Sequence, residues 1–200
     1  LLLGAGLESL PCRQTAEMER MSFYEVDTPA VLAEKEKRLR EVGITTPRNV
    51  YRVGVDLAED WEKTLLEMTP FATEQRTLTA LLGVVYYLPR AAMEALLKRL
   101  AAITPRGSSL LFDCPMRDFG TGEDAAGQQR ALAKGAGEAM EQGYTLPELA
   151  LMLERHGFLI YEDMGPREIT ERFYAGYNEG HPESPVLPLP GTALVLAARH

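Results

Sequence analysis

The sequence predicts an α/β fold in which a doubly wound, open and mostly parallel sheet carries helices on both faces. Three observations predict it. Several of the short strand candidates are unbroken apolar runs, as suits strands covered on both faces. Amphipathic helical patterns alternate with those runs. Turns rich in glycine or acid follow the runs, most plainly Gly4-Ala5-Gly6 after "LLL".

Taken in order, strands are expected over residues 1–3, 23–26, 50–55, 78–84, 109–113, 159–162 and 192–198. Helices are expected over 29–42, 61–68, 89–102, a stretch ending near Gln142, 146–156 and 166–174. Pro89 and Pro147 fall in first helical turns, where a missing N–H costs nothing. Gly43, Gly107 and Gly157 follow helix ends, where a left-handed residue closes the last turn. The run "EKEKRLR" at 34–40 reads as a solvated helix face with i,i+4 pairs. Two stretches break the regularity. Residues 117–130, "RDFGTGEDAAGQQR", read as a polar loop leading into a helix. Residues 175–191 carry four prolines without a period and read as an irregular excursion, after which an antiparallel final strand is the natural return.

Composition limits the function. Two hundred residues with 46% hydrophobic content suit one domain, 1–200, with a real core. A net charge of −8 argues against an extended nucleic-acid footprint, which needs clustered Lys and Arg. Cys12 and Cys114 stand far apart, so neither a disulfide framework nor a metal site is suggested, and a reducing, cytoplasmic setting is expected. Both cysteines read as packing residues. No apolar run reaches the roughly 18 residues of a membrane helix, so no membrane partner is expected.

The candidate site lies at the carboxyl edge of the sheet. A strand ending at Gly4-Ala5-Gly6 brings backbone N–H groups close to a ligand, with the positive end of a following helix expected nearby. About 20 residues further on, Glu25 and Asp27 close the second strand, where an acid accepts from ribose hydroxyls. Glu25 is the weaker of the two, expected to turn away. Asp56 closes the third strand and can accept from an exocyclic amine such as adenine's. Asp27 and Asp56 could also serve as helix N-caps. With no Arg or Lys close to the turn, a sulfonium nucleoside suits these carboxylates better than a ligand with many phosphates. Tyr86 and Tyr87 follow the fourth strand at the cleft edge, where one could face substrate and core or rim packing is the expected role of either, and His156 is expected to favour a helix dipole. His181 shows no partner in sequence.

The blocks "LLLGAGLES", "FYEVDTPAVLAEK", "VGVDLAEDW", "LLGVVYYLPRAAMEALLKRLA" and "GSSLLFDCP", in that order, resemble the leucine carboxyl methyltransferase family, which includes bacterial S-adenosylmethionine-dependent O-methyltransferases of the polyketide-biosynthesis type. The resemblance runs from Leu1 to about Pro115 and more loosely through "AGEAMEQGYTLPELALMLERHGFLIYEDMGP". It implies the class I methyltransferase (Rossmann-like) sheet of seven strands with the last antiparallel, and S-adenosyl-L-methionine as cofactor. It implies further that Gly4, Ala5 and Gly6 form the cofactor's glycine loop, that Asp27 binds the ribose, and that Asp56 and Leu57 flank the adenine. Three departures stand out. Leu82 occupies a position usually held by Glu, Glu8-Ser9-Leu10 replaces Asp-Thr-Arg, and the family's N-terminal helical segment is not in this sequence, which is expected to be an N-terminally truncated member.

The function implied is methyl transfer to the oxygen of a small molecule or peptide C-terminus, an in-line displacement that depends on near-attack geometry. A carboxylate needs no base at neutral pH, whereas a hydroxyl usually does. No base stands out at the expected edge, which favours a carboxylate or an acidic phenol, and no catalytic residue is assigned. Two alternatives stay open. The near-match to G-x-G-x-x-G, with Ser9 in the third place, allows an NAD(P)-dependent oxidoreductase. Leu82 allows a degenerate methyltransferase-like binding module.

Overall fold

Residues 1–120, 124–135, 140 and 143–200 are described by the computed structural model. Its strands are β1 (Leu2–Leu3), β2 (Phe23–Asp27), β3 (Val50–Gly54), β4 (Leu78–Leu81), β5 (Ser109–Pro115), β6 (Phe158–Met164) and β7 (Thr192–Arg199). They form one sheet in the order β3-β2-β1-β4-β5-β7-β6. The pairs from β3 through β5 are parallel, while β7 runs antiparallel to both β5 and β6, as expected for a last strand reached by a long connection. The order reverses between β1 and β4, and that switch point is where open α/β sheets hold ligands. Because β7 is reversed, its first residue, Thr192, lies opposite Pro115 at the end of β5. The start of β7 therefore joins the carboxyl edge.

The apolar runs become strands because helices cover both faces. Val26, Val53, Leu81, Phe112 and Val195 are fully enclosed. The covering helices are α1 (Pro29–Glu41), α2 (Trp61–Met68), α3 (Arg90–Ile103) and α5 (Leu146–Arg155), while α4 (Ala125–Gly135) precedes α5. Trp61 and Leu65 of α2, Met93, Leu97 and Leu100 of α3, and Leu149 and Leu153 of α5 belong to the main core. Each such side chain contributes about 1.5–3 kcal/mol by leaving water. No helix among the described residues is long and apolar enough to cross a membrane.

Several elements differ from the sequence expectation for identifiable reasons. Only two short 3-10 turns, Leu10–Cys12 and Met18–Arg20, link β1 to β2, so the strict strand–helix alternation starts one unit late. The fourth strand stops at Leu81 instead of 84 because Gly83 takes φ 71° and the chain then winds a 3-10 turn at Val85–Tyr87. Within 117–130 the helix α4 already begins at Ala125, and the end expected near Gln142 lies outside the described residues. The excursion at 175–191 is also less irregular than its prolines imply. Helix α6 (Pro166–Ile169) runs through a π turn (Thr170–Tyr174) into α7 (Ala175–Gly180) before the chain loosens. On α1, Glu34–Arg38 and Glu36–Arg40 pair on the solvated face as expected, but Lys35 does not belong to that face. It is 2% exposed and bonds Glu25 at 2.6 Å.

Candidate active site

The glycine turn folds back onto its neighbouring strand. The N–H groups of Gly4 and Ala5 both donate to the Val26 carbonyl, at 2.9 and 3.2 Å. Gly4 and Gly6 take φ of 68° and 48°, a left-handed backbone that glycine adopts without steric penalty. At Gly4 there is a second constraint, since a Cβ would stand 2.4 Å from Cγ2 of Val84. The turn after β1 is thereby pressed against the segment after β4, across the switch point. The expected helix end is missing here, because a 3-10 turn follows rather than an α-helix. The dinucleotide fingerprint needs a helix opening at its third small residue. Ser9 instead accepts a hydrogen bond from Arg13 Nε at 3.0 Å, so the near-match to G-x-G-x-x-G lacks its structural context. Arg13 also pairs with Glu8 at 3.5 Å.

The two candidate acids are not helix caps. The N-cap of α1 is Thr28, whose hydroxyl accepts from Val31 N–H, and the residue preceding α2 is Asp60. Asp27 uses its carboxylate across the edge: Oδ2 accepts from Gly6 N–H at 2.8 Å and Oδ1 from Thr28 N–H at 2.7 Å. The acid at the end of β2 thus holds the turn after β1, and its remaining lone pairs lie on a half-buried side chain. Asp56 is exposed beyond the end of β3, where Oδ1 accepts from Ala58 N–H at 2.9 Å, and Leu57 beside it packs on the core. Glu25 belongs elsewhere. Residues two apart on a strand share a face, so depth rather than direction separates it from Asp27. It is fully buried between Lys35 at 2.6 Å and Arg52 at 2.9 Å.

Across the switch point the structure sets two groups that sequence reasoning missed, Asp113 and Thr192, around Tyr86, which is expected at the cleft edge. Asp113, near the end of β5, accepts from the N–H of Gly83 at 2.6 Å and so ties β5 to the turn after β4. Tyr86 is buried beneath that turn, and its hydroxyl lies 3.2 Å from Oγ1 of Thr192. Its ring packs on Phe119, 5.2 Å between centroids. Burial raises the proton affinity of Asp113 against the opposing pull of the Gly83 N–H. Burial, reinforced by Asp113, lifts Tyr86 above the ordinary phenol range and pushes the Cys114 thiol up to about 12. The available signal for Asp113 was an acid at the end of an otherwise apolar run, "LLFDCP", the same signal that drew attention to Asp27 and Asp56.

Beyond Asp113 the edge opens into a cleft of about 590 Å³, lined by Met116, Leu146, Pro166, Leu187, Gly191 and Thr192 among others. These residues follow β5, open α5, follow β6 and precede or begin β7, so the cleft continues the same carboxyl edge. Asn178 fixes one wall by bonding both the N–H and the carbonyl of Val186, at 2.8 and 3.0 Å. Leu82 stands 47% exposed at the end of β4, between the glycine turn and this cleft. Tyr87 is on the surface. His156 closes α5, and His181 stacks on Tyr177 with Nδ1 2.9 Å from its carbonyl; neither faces the edge residues described above.

A family model described as leucine carboxyl methyltransferase matches residues 1–101. YktD of Bacillus subtilis (strain 168), by its name a candidate S-adenosyl-L-methionine-dependent methyltransferase, is 31% identical over 179 residues, 88% of this chain and 58% of its own length. A protein of the same designation from Mycolicibacterium paratuberculosis (strain ATCC BAA-968 / K-10) is 33% identical over 130 residues, 65% of this chain and 40% of its own. The chain thus spans about half the length of the curated relatives it matches. Among solved structures, an O-methyltransferase family protein from Burkholderia thailandensis superposes with a TM-score of 0.61 at 11% identity, over 99% of this chain and 49% of that one. The O-methyltransferase NcsB1 from neocarzinostatin biosynthesis, in complex with S-adenosyl-L-homocysteine and 1,4-dihydroxy-2-naphthoic acid, gives 0.60 at 14% identity, over 100% and 48%. At such identities the likeness is one of fold.

Proposed function

This chain belongs to the leucine carboxyl methyltransferase family, and on that premise we propose that its carboxyl edge binds S-adenosylmethionine and transfers the sulfonium methyl to an oxygen of a small molecule. The observation that carries the reading is the joined arrangement of turn and acids: Gly6 N–H on the Asp27 carboxylate at 2.8 Å, with Asp56 exposed at the end of the next strand. Those residues fit the cofactor. Residues 1–12 hold no Lys or Arg, the N–H groups of Gly4, Ala5 and Gly6 are taken by Val26 and Asp27, and no α-helix opens after the turn, so the turn suits a pyrophosphate poorly. The lone pairs that Asp27 and Asp56 keep beyond their backbone bonds suit ribose hydroxyls, an exocyclic amine and a nearby positive sulfur.

In this reading Gly4, Ala5 and Gly6 give the backbone clearance for the nucleoside, Asp27 holds the ribose, and Asp56 with Leu57 flanks the adenine. S-adenosylmethionine, when bound, supplies the electrophilic methyl. The chain's own contribution is to orient donor and acceptor for in-line attack and to keep water from the reacting atoms, which for such a displacement is most of the catalysis. A second reading, a binding module that has lost turnover, is favoured by one observation, the exposed Leu82 in the place usually held by Glu.

Saturation-transfer NMR tests the proposal. Irradiated protein is expected to pass magnetisation to the adenine and ribose protons of S-adenosylmethionine and not to NAD. A response to NAD alone would overturn it. Methylation of an added phenol or carboxylate would remove the binding-module reading.

A further inference from the structure

The edge beyond the switch point holds a continuous line of hydroxyl and carboxyl groups that the cofactor reading does not use. Thr192 lines the cleft and is 9% exposed, and its hydroxyl lies 3.2 Å from that of Tyr86, which is 6% exposed. The 3-10 turn that carries Tyr86 packs against β5, where Asp113 lies two residues before Pro115, the register partner of Thr192, and Asp113 and Tyr86 are close enough that each shifts the other's proton affinity. Asp113 in turn is fixed by Gly83 N–H, one residue from Val84, whose side chain closes against Gly4. A hydroxyl donates one proton while accepting another, and a carboxylate ends such a line as the base. The cleft walls are mainly apolar, and the charged side chains bordering them are Asp118, Asp163 and Arg167. The one cation among them, Arg167, is drawn to Glu171 at 3.4 Å. That balance disfavours an anionic guest.

We propose that the cleft receives a neutral, hydroxyl-bearing apolar molecule as methyl acceptor, and that the acceptor's proton leaves through Thr192 and Tyr86 to Asp113. This inference rests on the methyl-transfer reading and deepens it by naming the acceptor class. As the acceptor oxygen forms its bond to the methyl carbon, the carbon–sulfur bond breaks and its electron pair stays on sulfur. The acceptor O–H proton passes to Thr192 Oγ1, the Thr192 proton to Tyr86 Oη, and the Tyr86 proton to the Asp113 carboxylate, which ends as the acid. Thr192 touches the acceptor; Tyr86 and Asp113 act through it. Burial of Asp113, which makes it a stronger base than a solvated carboxylate, serves the same end. Of the two acceptors that sequence reasoning left open, a carboxylate or an acidic phenol, the hydroxyl is the one proposed.

The test uses 2-naphthol as probe, because its excited state gives up a proton and the naphtholate emits at longer wavelength, so proton transfer is read without turnover. Calorimetry is run with 2-naphthol and with 2-naphthoate, each with and without S-adenosylhomocysteine. The expected result is 2-naphthol binding at least about tenfold tighter than 2-naphthoate, with naphtholate emission from the bound probe. Tyr86→Phe and Asp113→Asn, checked for folding by circular dichroism, should retain the affinity and lose most of the naphtholate emission, while Thr192→Val should lose emission and weaken binding about threefold to tenfold. Equal or tighter binding of naphthoate, binding of neither probe, or emission unchanged in Tyr86→Phe would overturn the proposal. Failure of S-adenosylhomocysteine alone to bind counts against the cofactor reading and leaves the naphthol titrations to decide this one.

Discussion

On the β1–β3 side of the switch point, the edge is made of residues that stand at strand ends and bond one another through the backbone: Gly6 to Asp27, Thr28 to Asp27, Ala58 to Asp56. On the β5–β7 side it is made of residues far apart in the chain: Tyr86 meets Thr192 through side chains, Asp113 holds the N–H of Gly83 from 30 residues away, and the excursion that Asn178 pins forms a wall. The first side is stiffened from below by the buried Glu25–Lys35–Arg52 group. The second relies on apolar packing around Tyr86 and Phe119 and on a capped helix. The difference teaches that the proposed nucleoside side is held by a short, locally bonded scaffold, whereas the proposed acceptor side is assembled from tertiary contacts.

The comparison can be broken at its stiffest point first. Replacing Glu25 by Ala leaves Lys35, 2% exposed, without its partner, and loss of one member of a buried pair costs about 3–5 kcal/mol. Urea denaturation should show a loss of that size. A change under about 1 kcal/mol would mean that the ion group does not hold this half together. Gly4→Ala comes next. The left-handed backbone at φ 68° costs about 1–2 kcal/mol with a side chain, and the Cβ would collide with Val84. Stability and S-adenosylhomocysteine affinity should both fall, by about tenfold or more for binding.

On the β5–β7 side the smaller effect is acid-sensitive. Glu148 caps α5, accepting from Thr145 N–H at 2.9 Å and from the Thr145 hydroxyl, and pairs with Arg117 at 2.6 Å. These bonds hold its carboxyl down at about 2, the Thr145 N–H being the largest cause. Because the folded value lies below the unfolded value of 4.5, the stabilisation is fully present above pH 4.5 and is lost as pH falls through about 2. Amide exchange in α5 should accelerate across that window, and Glu148→Gln should flatten the response. An unchanged slope in the variant would assign the acid sensitivity elsewhere.

What the sequence disclosed follows the same division. The strands, their parallel order and the reversed last strand were legible because enclosed strands such as that of Phe112 leave apolar runs, and because β2 and β3 each end at a turn or an acid that marks the strand end. Gly4, Asp27 and Asp56 were legible because a turn and an acid at a strand end mark a carboxyl edge by position alone. Glu25 and Lys35 were not, since pairing across ten residues looks in sequence like two surface charges. The Tyr86–Thr192 contact joins residues 106 apart, and no local pattern announces it. The strand end at Leu81 was missed because "LLGVV" stays apolar through the turn that Gly83 makes.

The central claim, that the β1–β3 side holds the nucleoside, is tested most directly by calorimetric titration of S-adenosylhomocysteine into the wild-type chain, Asp56→Ala and Leu187→Ala. The account predicts binding by the wild type, a loss of about tenfold to a hundredfold in Asp56→Ala from the missing charge-assisted hydrogen bond, and unchanged affinity in Leu187→Ala, which alters only the wall of the cleft beyond the switch point. No binding by a folded wild-type chain, or equal affinity in Asp56→Ala, would contradict it.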